Sequence, residues 1–403
     1  LLYEKIVSAG PIRLALTGPS RMPYWRLSGF YFFYFASLGA LLPFWGLYLL
    51  DRGFSPAQIG ELMAVIMVTK LIAPNIWGWI SDHTGRRMPI VRLASLLSVI
   101  CFLGVFFVEG YWALALVMML FSFFWNASLP QFEAVTMSYL RERIQNYSRI
   151  RLWGSVGFIL AVLALGFLLE RWGVGVVPQV VLFIYIGIFF NSLLVPEKEA
   201  GLSPLGQGSI LEVLKRRDII AFLLVCFLMQ ASHSAYYAFY SIFMEGIGYS
   251  SGVIGQLWAL GVVAEVLVFL VMHRLLHRWG ARTVLIISLM IAVIRWVLVA
   301  WGSDNLLLVL LAQLMHAATF GTFHAAAIHM GHHYFVGRHQ GRGQALYSSI
   351  SFGAGGAVGS LMSGYLWSGI GPEMAYWAAA VYALIAVFIA SRWIDRQEAP
   401  LVS

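Results

Sequence analysis

Ionisable side chains lie inside long apolar stretches of this sequence, where charge is expensive and such groups normally face a cavity or each other. These residues are Lys70, Glu133, Arg151, His233, Glu265, Arg295, His316 and His324. Lys70 and Glu265 stand 195 residues apart, and the same spacing relates two similar segments of the chain. We therefore expect these groups to line one wet path through an apolar interior.

Two kinds of chemistry are available to this set. A carboxylate ligand needs a cation in such an interior, and the side chains that could supply it are Lys70, Arg151 and Arg295. Aromatic side chains could stack on a ring, and the candidates are Trp153, Tyr236 and Tyr237.

Proton transfer is the second kind of chemistry. An unperturbed histidine titrates close to neutral pH, and a carboxyl group changes its proton affinity when a helix shift moves it relative to an arginine. Glu265, Arg295 and His316 are therefore the predicted proton-coupling residues. A purely structural role, as a fixed ion pair or as packing residues, is the alternative for Glu133, Arg151, Trp153, His233 and His324.

The elements that must position these residues are membrane-spanning helices. The chain is 60% hydrophobic and only 11% charged, with a mean hydropathy of +0.80, whereas a soluble domain carries about 25% charged residues. Apolar runs of about 20 residues can each cross a bilayer core. The predicted spans are 25–50, 56–80, 89–108, 112–139, 148–169, 174–194, 218–244, 250–273, 282–301, 304–328, 342–366 and 374–393.

An internal repeat divides the spans into two sets. Residues 53–64 and 248–259 match at Gly, an aromatic residue, Ser, Ile, Gly, Leu and Ala, and each opens the second span of its half. Duplications of this kind build transporters with a site between the halves. We predict an all-α membrane protein with twelve transmembrane helices in two pseudo-symmetric six-helix bundles. The predicted bundles are 25–194 and 218–393, joined by a cytoplasmic linker at 195–217.

The placement of charge predicts the orientation in the membrane. Nearly all of the 26 lysines and arginines fall at the N-terminus, the even-numbered connections and the C-terminus, whereas the opposite loops hold Arg52 and Arg171. Basic loops stay in the cytoplasm, so we expect a multi-pass protein of the cell inner membrane with both termini cytoplasmic. The two cytoplasmic termini are an N-terminal segment at 1–24 and a tail at 394–403. Residues 1–21 lack apolar periodicity and could be non-native.

The connection after the second span reads Gly78-Trp-Ile-Ser-Asp82-His-Thr-Gly85-Arg86-Arg87. This stretch resembles the signature of the major facilitator superfamily, which implies the major facilitator fold and a charge-pair latch that holds helix ends together in one conformation. Arg86 and Arg87 could alternatively serve membrane topology only. The stretch 195 residues on keeps the glycine and one arginine but has His277 in place of the aspartate.

A second resemblance concerns the ionisable residues. Pro130-x-x-Glu133 followed by Arg151 is similar to a pairing of the lactose permease family, in which a carboxylate and an arginine bind the sugar between them. Glu265, Arg295 and His316 fall where that family keeps residues for proton coupling. The sequence departs from that family at Thr319, which replaces a carboxylate, and at Gln313, which replaces a lysine and is counted among the substrate-binding candidates. The sequence therefore does not predict a proton route copied whole from that family.

A resemblance over nearly the full chain is to the phenylpropionate permease group of the superfamily. It is carried by the order and spacing of the stretches 42–45, 151–157, 230–237, 257–265 and 295–296 together with His316, Phe320 and His324. It implies proton-linked uptake of an aromatic carboxylate such as 3-phenylpropionate by alternating access. A proton-linked sugar or nucleoside symporter, or efflux by the same fold, remains the alternative.

Other classes of protein fit less well. The sequence contains no arrangement of nucleophile and base that would indicate an enzyme. It also contains no nucleotide-binding loop that would indicate ATP-driven transport. The positive charge is concentrated in the connections on one side of the membrane, so nucleic acid is not an expected partner. His329 and His333 have a spacing that can bind metal, but no acid or cysteine stands nearby. We expect no cofactor and no metal, a monomer driven by the proton gradient, and a small solute, protons and the lipid bilayer as partners.

Overall fold

The computed structural model describes residues 22–140, 146–198, 214–336 and 340–395. This part of the chain is almost entirely helical and contains no strand. Helices satisfy every backbone N–H and C=O group internally, which a hydrocarbon solvent demands. The segment 1–21, most of the predicted linker and most of the predicted tail lie outside the described residues.

Twelve spans follow from the helices in these ranges. Ten helices are long and apolar enough to cross a membrane. The longest has 52 residues and turns at Gly280, so it supplies two spans, and residues 340–369 supply another from three consecutive helical segments. In chain order the spans are α1 (Tyr24–Asp51), α2 (Pro56–Thr84), α3 (Met88–Phe106), α4 (Tyr111–Leu140), α5 (Tyr147–Trp172), α6 (Val174–Leu194), α7 (Arg217–Ile247), α8 (251–279), α9 (281–302), α10 (Leu306–Tyr334), α11 (340–369) and α12 (Pro372–Trp393). The predicted fold class is confirmed.

The internal repeat has a local structural meaning. Ser55 precedes α2 and Ser250 precedes α8, and each hydroxyl accepts a hydrogen bond from the backbone N–H three residues on. A serine in this position satisfies one of the donors that a helix start leaves free. At the other ends of α2 and α8, Gly85 and Gly280 have φ angles of 68° and 75°, a left-handed conformation that favours glycine. The duplicated sequence thus fixes where both helices begin and end.

Two close helix contacts join the bundles near the starts of α2 and α8, on the face opposite Arg86 and Arg87. α2 meets α11 where Gly60 faces Gly364, and a Cβ added at Gly60 would lie 2.9 Å from the Gly364 Cα atom. α5 meets α8 where Gly166 faces Gly255, and a Cβ added at Gly166 would lie 3.3 Å from the Gly255 Cα atom. Small residues allow such approach of transmembrane helices. We call these contacts the glycine seams and this side the seam face.

Each bundle is also tied together on the other side, which we call the basic face. In the first bundle, the Arg92 guanidinium donates to the carbonyl oxygens of Ser192 and Val195 at the end of α6. In the second, the Arg282 guanidinium donates to the carbonyl oxygens of Ser391 and Ile394 at the end of α12. An arginine satisfies the free carbonyls of a helix end in both cases.

Candidate functional site

The largest cluster of buried polar groups lies in the second bundle, between α7, α9 and α10, and is centred on Arg295. The Arg295 side chain is fully buried. Its Nε donates to the Ala312 carbonyl oxygen at 2.9 Å and its Nη1 donates to the Thr319 hydroxyl at 2.9 Å. The guanidinium carbon lies 4.5 Å from the ring centre of Tyr236 and 4.4 Å from that of Trp296. Aromatic faces of this kind attract a cation electrostatically.

Within the described part of the chain, Arg295 has no carboxylate partner. Among the described residues, no aspartate or glutamate oxygen lies within 4.0 Å of its guanidinium, and its Nη2 has no hydrogen-bond acceptor. Glu265 and Arg295, which are predicted to act together in proton coupling, are therefore not in contact in this conformation. Glu265 instead approaches His316, with 4.0 Å between Oε2 and Nε2.

Polar side chains of α7 and α10 extend the cluster. Tyr236 donates its hydroxyl to the Gln313 carbonyl oxygen at 2.9 Å, and the Gln313 amide nitrogen and the His316 Nδ1 have no partner in the described part of the chain. Buried donors without acceptors are rare in native structures. The structure thus places Tyr236, Gln313 and His316 beside Arg295, with one polar atom of Gln313 and one of His316 left without a partner.

A narrow cavity of about 10 Å³, room for about one water molecule in this conformation, borders this cluster. Its walls come from α7, α10 and α11, and include His233, Thr319, Phe320, His324 and Phe352. Both α10 and α11 contain a π-helical segment here, Ala317–Thr322 and Ser349–Gly355. Segments of this type occur frequently at functional sites, because the wider turn re-aims side chains.

Aromatic rings form a column along one wall of the cavity. The rings of His316 and Phe320 lie 5.5 Å apart, those of Phe320 and His324 lie 6.0 Å apart, and both pairs are inclined by only 7°. Tyr237 has its ring 6.5 Å from Phe320. His324 also contacts the Tyr347 hydroxyl through Nδ1 at 2.9 Å. The predicted residues His324 and Tyr237 therefore do lie at this site.

The first bundle supplies a second polar group. The Tyr147 hydroxyl donates to Glu133 at 3.2 Å, and the Arg151 guanidinium carbon lies 3.6 Å from the ring centre of Phe35. Glu133 and Arg151 do not approach within 4.0 Å, although Arg151 and Lys70 both interact electrostatically with Glu133. A closed structural ion pair between Glu133 and Arg151 is thus absent from this conformation.

The two bundles face each other through these groups. The Lys70 ammonium of α2 lies 4.9 Å from the ring centre of Phe352 on α11. Arg151 interacts electrostatically with Glu265, and His324 interacts with both Lys70 and Arg151. Lys70 and Glu265, which the repeat relates, therefore border the same central region from opposite bundles.

Trp153 lies elsewhere. Its indole nitrogen donates to the Tyr24 hydroxyl at 3.0 Å, and its ring packs edge-on against Trp25. Both partners stand at the first turn of α1, at the basic face. The structure does not bring Trp153 to the polar cluster.

The signature stretch at the end of α2 forms a compact network. Arg87 pairs with Asp82 at 2.9 Å and donates to the Gln131 side-chain oxygen at 2.8 Å. Gly78 contributes a carbonyl oxygen to Ser81, whereas Arg86 is exposed. All of these contacts remain within the first bundle.

Two glutamates at the seam face were not anticipated from the sequence. Glu61 accepts hydrogen bonds from Tyr111 of its own bundle and from Tyr365 of the other, each at 2.5 Å. Glu170 accepts from the Ser250 hydroxyl at 2.5 Å and from the Gly252 backbone N–H at 3.0 Å. The position of Glu61 inside the repeated stretch 53–64 was the one signal available. Each glycine seam therefore carries a carboxylate that links the bundles.

The fold and this polar centre between two bundles define a multi-pass membrane transporter rather than an enzyme. Residues 24–378 match the model of the MFS_1 like family. The chain belongs to that family, and so to the major facilitator transporters.

Known proteins agree on this class. A protein of Escherichia coli (strain K12) described as "Probable 3-phenylpropionic acid transporter" is 31% identical over 378 residues, which cover 89% of this chain and 95% of that protein. The "Maltose permease" of Geobacillus stearothermophilus is 26% identical over 84% of this chain and 86% of its own length. The crystal structure of the nucleoside transporter NupG superposes with a TM-score of 0.80 at 17% identity, and covers 93% of this chain and 99% of that one.

Proposed function

We propose that this transporter is a secondary active importer that carries a small aromatic carboxylate, such as 3-phenylpropionate, together with protons. The observation that carries the proposal is an excess of positive charge in the interior of the described spans. Three cations there, Lys70, Arg151 and Arg295, stand against two carboxylates, Glu133 and Glu265. Charges in a membrane interior are retained where they pair with one another or serve a solute. A monovalent anion would complete the balance.

The cavity walls favour an aromatic solute. Phe320 and Phe352 line the cavity, and their rings lie 6.5 Å apart at 63°. Sites for small organic molecules are mostly apolar, with a few polar groups that fix orientation. A compact aromatic ring with one carboxylate matches this pair of phenyl rings beside the hydrogen bond from Arg295 to Thr319.

Glu265 and His316 are the proposed proton carriers. Their side chains lie 4.0 Å apart, beside Arg295 but without a hydrogen bond to it. A proton that travels with a carboxylate cancels its charge, so the loaded site would cross the membrane without net charge movement. We infer that the protein works as a monomer without a cofactor, with the proton gradient as its energy source.

The orientation in the membrane assigns the two faces of the protein to the two sides of the bilayer. With the basic face in the cytoplasm, both termini are cytoplasmic and the seam face is the outer one. The glycine seams then seal the outer side of this conformation. Rocking of residues 25–194 against 218–393 would alternate access.

Transport by purified protein in proteoliposomes tests the proposal. An imposed gradient, acidic outside, should drive accumulation of radiolabelled 3-phenylpropionate in vesicles that hold the protein in the inferred orientation, and a protonophore should abolish it. Thermal stabilisation by 3-phenylpropionate, cinnamate, maltose and uridine should rank the two acids first, since a ligand stabilises the state that binds it. No stabilisation by either acid would refute the assignment.

A nucleoside is the second candidate. It is favoured by the superposition on the nucleoside transporter NupG and by the 21% identity to the nucleoside permease NupG of Escherichia coli (strain K12). The uncharged amide nitrogen of Gln313, which has no acceptor among the described residues, could serve a ribose or base. Stabilisation by uridine alone would favour this alternative, and release of solute against the imposed gradient would favour efflux.

A further inference from the structure

Thr319 separates the buried arginine from the cavity. It belongs to the π-helical segment Ala317–Thr322 of α10 and lines the cavity together with His233. Its hydroxyl oxygen accepts from Arg295 Nη1 at 2.9 Å and contacts His233 Nε2 at 3.2 Å. Arg295 is thus one hydrogen bond away from the cavity wall.

The surroundings of Arg295 leave its charge uncompensated. It is held by a carbonyl oxygen, a hydroxyl and two aromatic faces, all of which are neutral. Its Nη2 has no acceptor among the described residues. A buried charge without a counter-charge is costly, and an anion at the nearest cavity wall would reduce that cost. Here that wall is formed by Thr319 and His233.

We propose that the absence of charge on the side chain at position 319 makes the site selective for anions, an inference that rests on the proposed function. The solute's carboxylate binds at the wall formed by Thr319 and His233, where Arg295 supplies the counter-charge. The ring lies toward Phe320 and Phe352, the apolar wall that continues from Thr319. Because the side chain at 319 is neutral, the arginine is available to the solute. A carboxylate at this position would occupy Arg295 and make the site prefer a neutral solute.

The test replaces Thr319→Asp and compares two ligands that differ in charge, 3-phenylpropionate and 3-phenylpropanamide. Dissociation constants are measured by calorimetry on the purified full-length protein. Wild type should bind the acid more tightly than the amide. In Thr319→Asp the dissociation constant of the acid should rise at least about tenfold, since a fixed anion now pairs with the arginine and repels the solute, while that of the amide should change less than about threefold.

Two control variants separate charge from shape. Thr319→Val removes the hydroxyl but keeps the uncompensated arginine, so the preference for the acid should persist. Thr322→Asp places the same charge on the same segment, but Thr322 hydrogen-bonds to Ser288 at 2.6 Å rather than to Arg295. Its acid dissociation constant should rise less than in Thr319→Asp. If the aspartate variant does not fold, Thr319→Glu introduces the same charge and is measured in its place.

The outcomes distinguish the two proposals. If wild type binds neither ligand, both the proposed function and this inference are overturned. If wild type prefers the acid and Thr319→Asp retains that preference, only the role of Thr319 is overturned. Loss of the preference in Thr319→Val would likewise overturn it, because the hydroxyl rather than the free charge would then select the anion.

Discussion

A single methyl group at Gly60 should open the seam face. In Gly60→Ala the new Cβ would lie 2.6 Å from the Ser360 carbonyl oxygen and 2.9 Å from the Gly364 Cα atom. Both neighbours are backbone atoms, so α2 and α11 must separate to relieve the contact. Overpacking of a tight interface costs about 1–3 kcal/mol. Because the contact exists only when the seam is closed, this cost shifts the equilibrium toward the open form by about 5-fold to 150-fold.

Distances between spin labels can measure that shift. Labels at Glu109→Cys and Asp304→Cys, both exposed in loops of the seam face, report the separation of the two bundles once Cys101 and Cys226 are replaced by serine. Gly60→Ala should populate a longer distance and reduce the transport rate. Gly369→Ala is the matched control, because a Cβ there meets nothing within 4 Å.

The reasoning fails on a specific result. A Gly60→Ala protein with the parental distance distribution and the parental transport rate would show that α2 and α11 can accommodate the methyl group without separating. Gly166→Ala should reproduce the Gly60→Ala effect at the other seam, where its Cβ would lie 2.7 Å from the Ser251 carbonyl oxygen.

Three further substitutions have defined outcomes. Glu265→Gln should abolish proton-driven accumulation, because an amide side chain cannot take up and release a proton as a carboxyl group does. Exchange of internal for external solute should remain intact, and uphill uptake by this variant would contradict the coupling role. Tyr365→Phe should shift the spin-label distances in the direction of Gly60→Ala, because Glu61 loses its hydrogen bond across the seam; an unchanged distribution would show that this bond does not hold the seam. Arg87→Ala should lower thermal stability through loss of its bonds to Asp82 and Gln131, whereas Arg86→Ala at an exposed side chain should not, and melting curves of both variants compare them directly.

The helices of this protein could be predicted from the sequence because their causes are local. Apolar runs of bilayer length set the spans, and the serine before α2 and α8 and the glycine after them set the ends, as Ser55 and Gly85 show. The prediction that Lys70 and Glu265 face a common centre also agrees with the structure, because the repeat imposes it.

The partners of the polar groups could not be predicted in the same way. Arg295 and Glu265 are predicted to act together in proton coupling, yet Arg295 donates to Thr319 and to the Ala312 carbonyl oxygen. The hydrogen bond between Arg295 and Thr319 depends on the rotation of α9 relative to α10 and on the π-helical segment that re-aims Thr319. No sequence pattern predicts either of these two features. The bridge from Glu61 to Tyr365 joins residues 304 positions apart, which only the packed bundles bring together.

The duplicated stretch at the starts of α2 and α8 has a mechanical consequence. One copy abuts the second bundle and the other abuts the first, so the two halves grip each other at a pair of equivalent points on either side of the central axis. Because the two contacts are equivalent, we expect them to resist rotation of one bundle against the other and to separate together. The opening to the solute would then widen evenly, rather than first at one side next to the lipid.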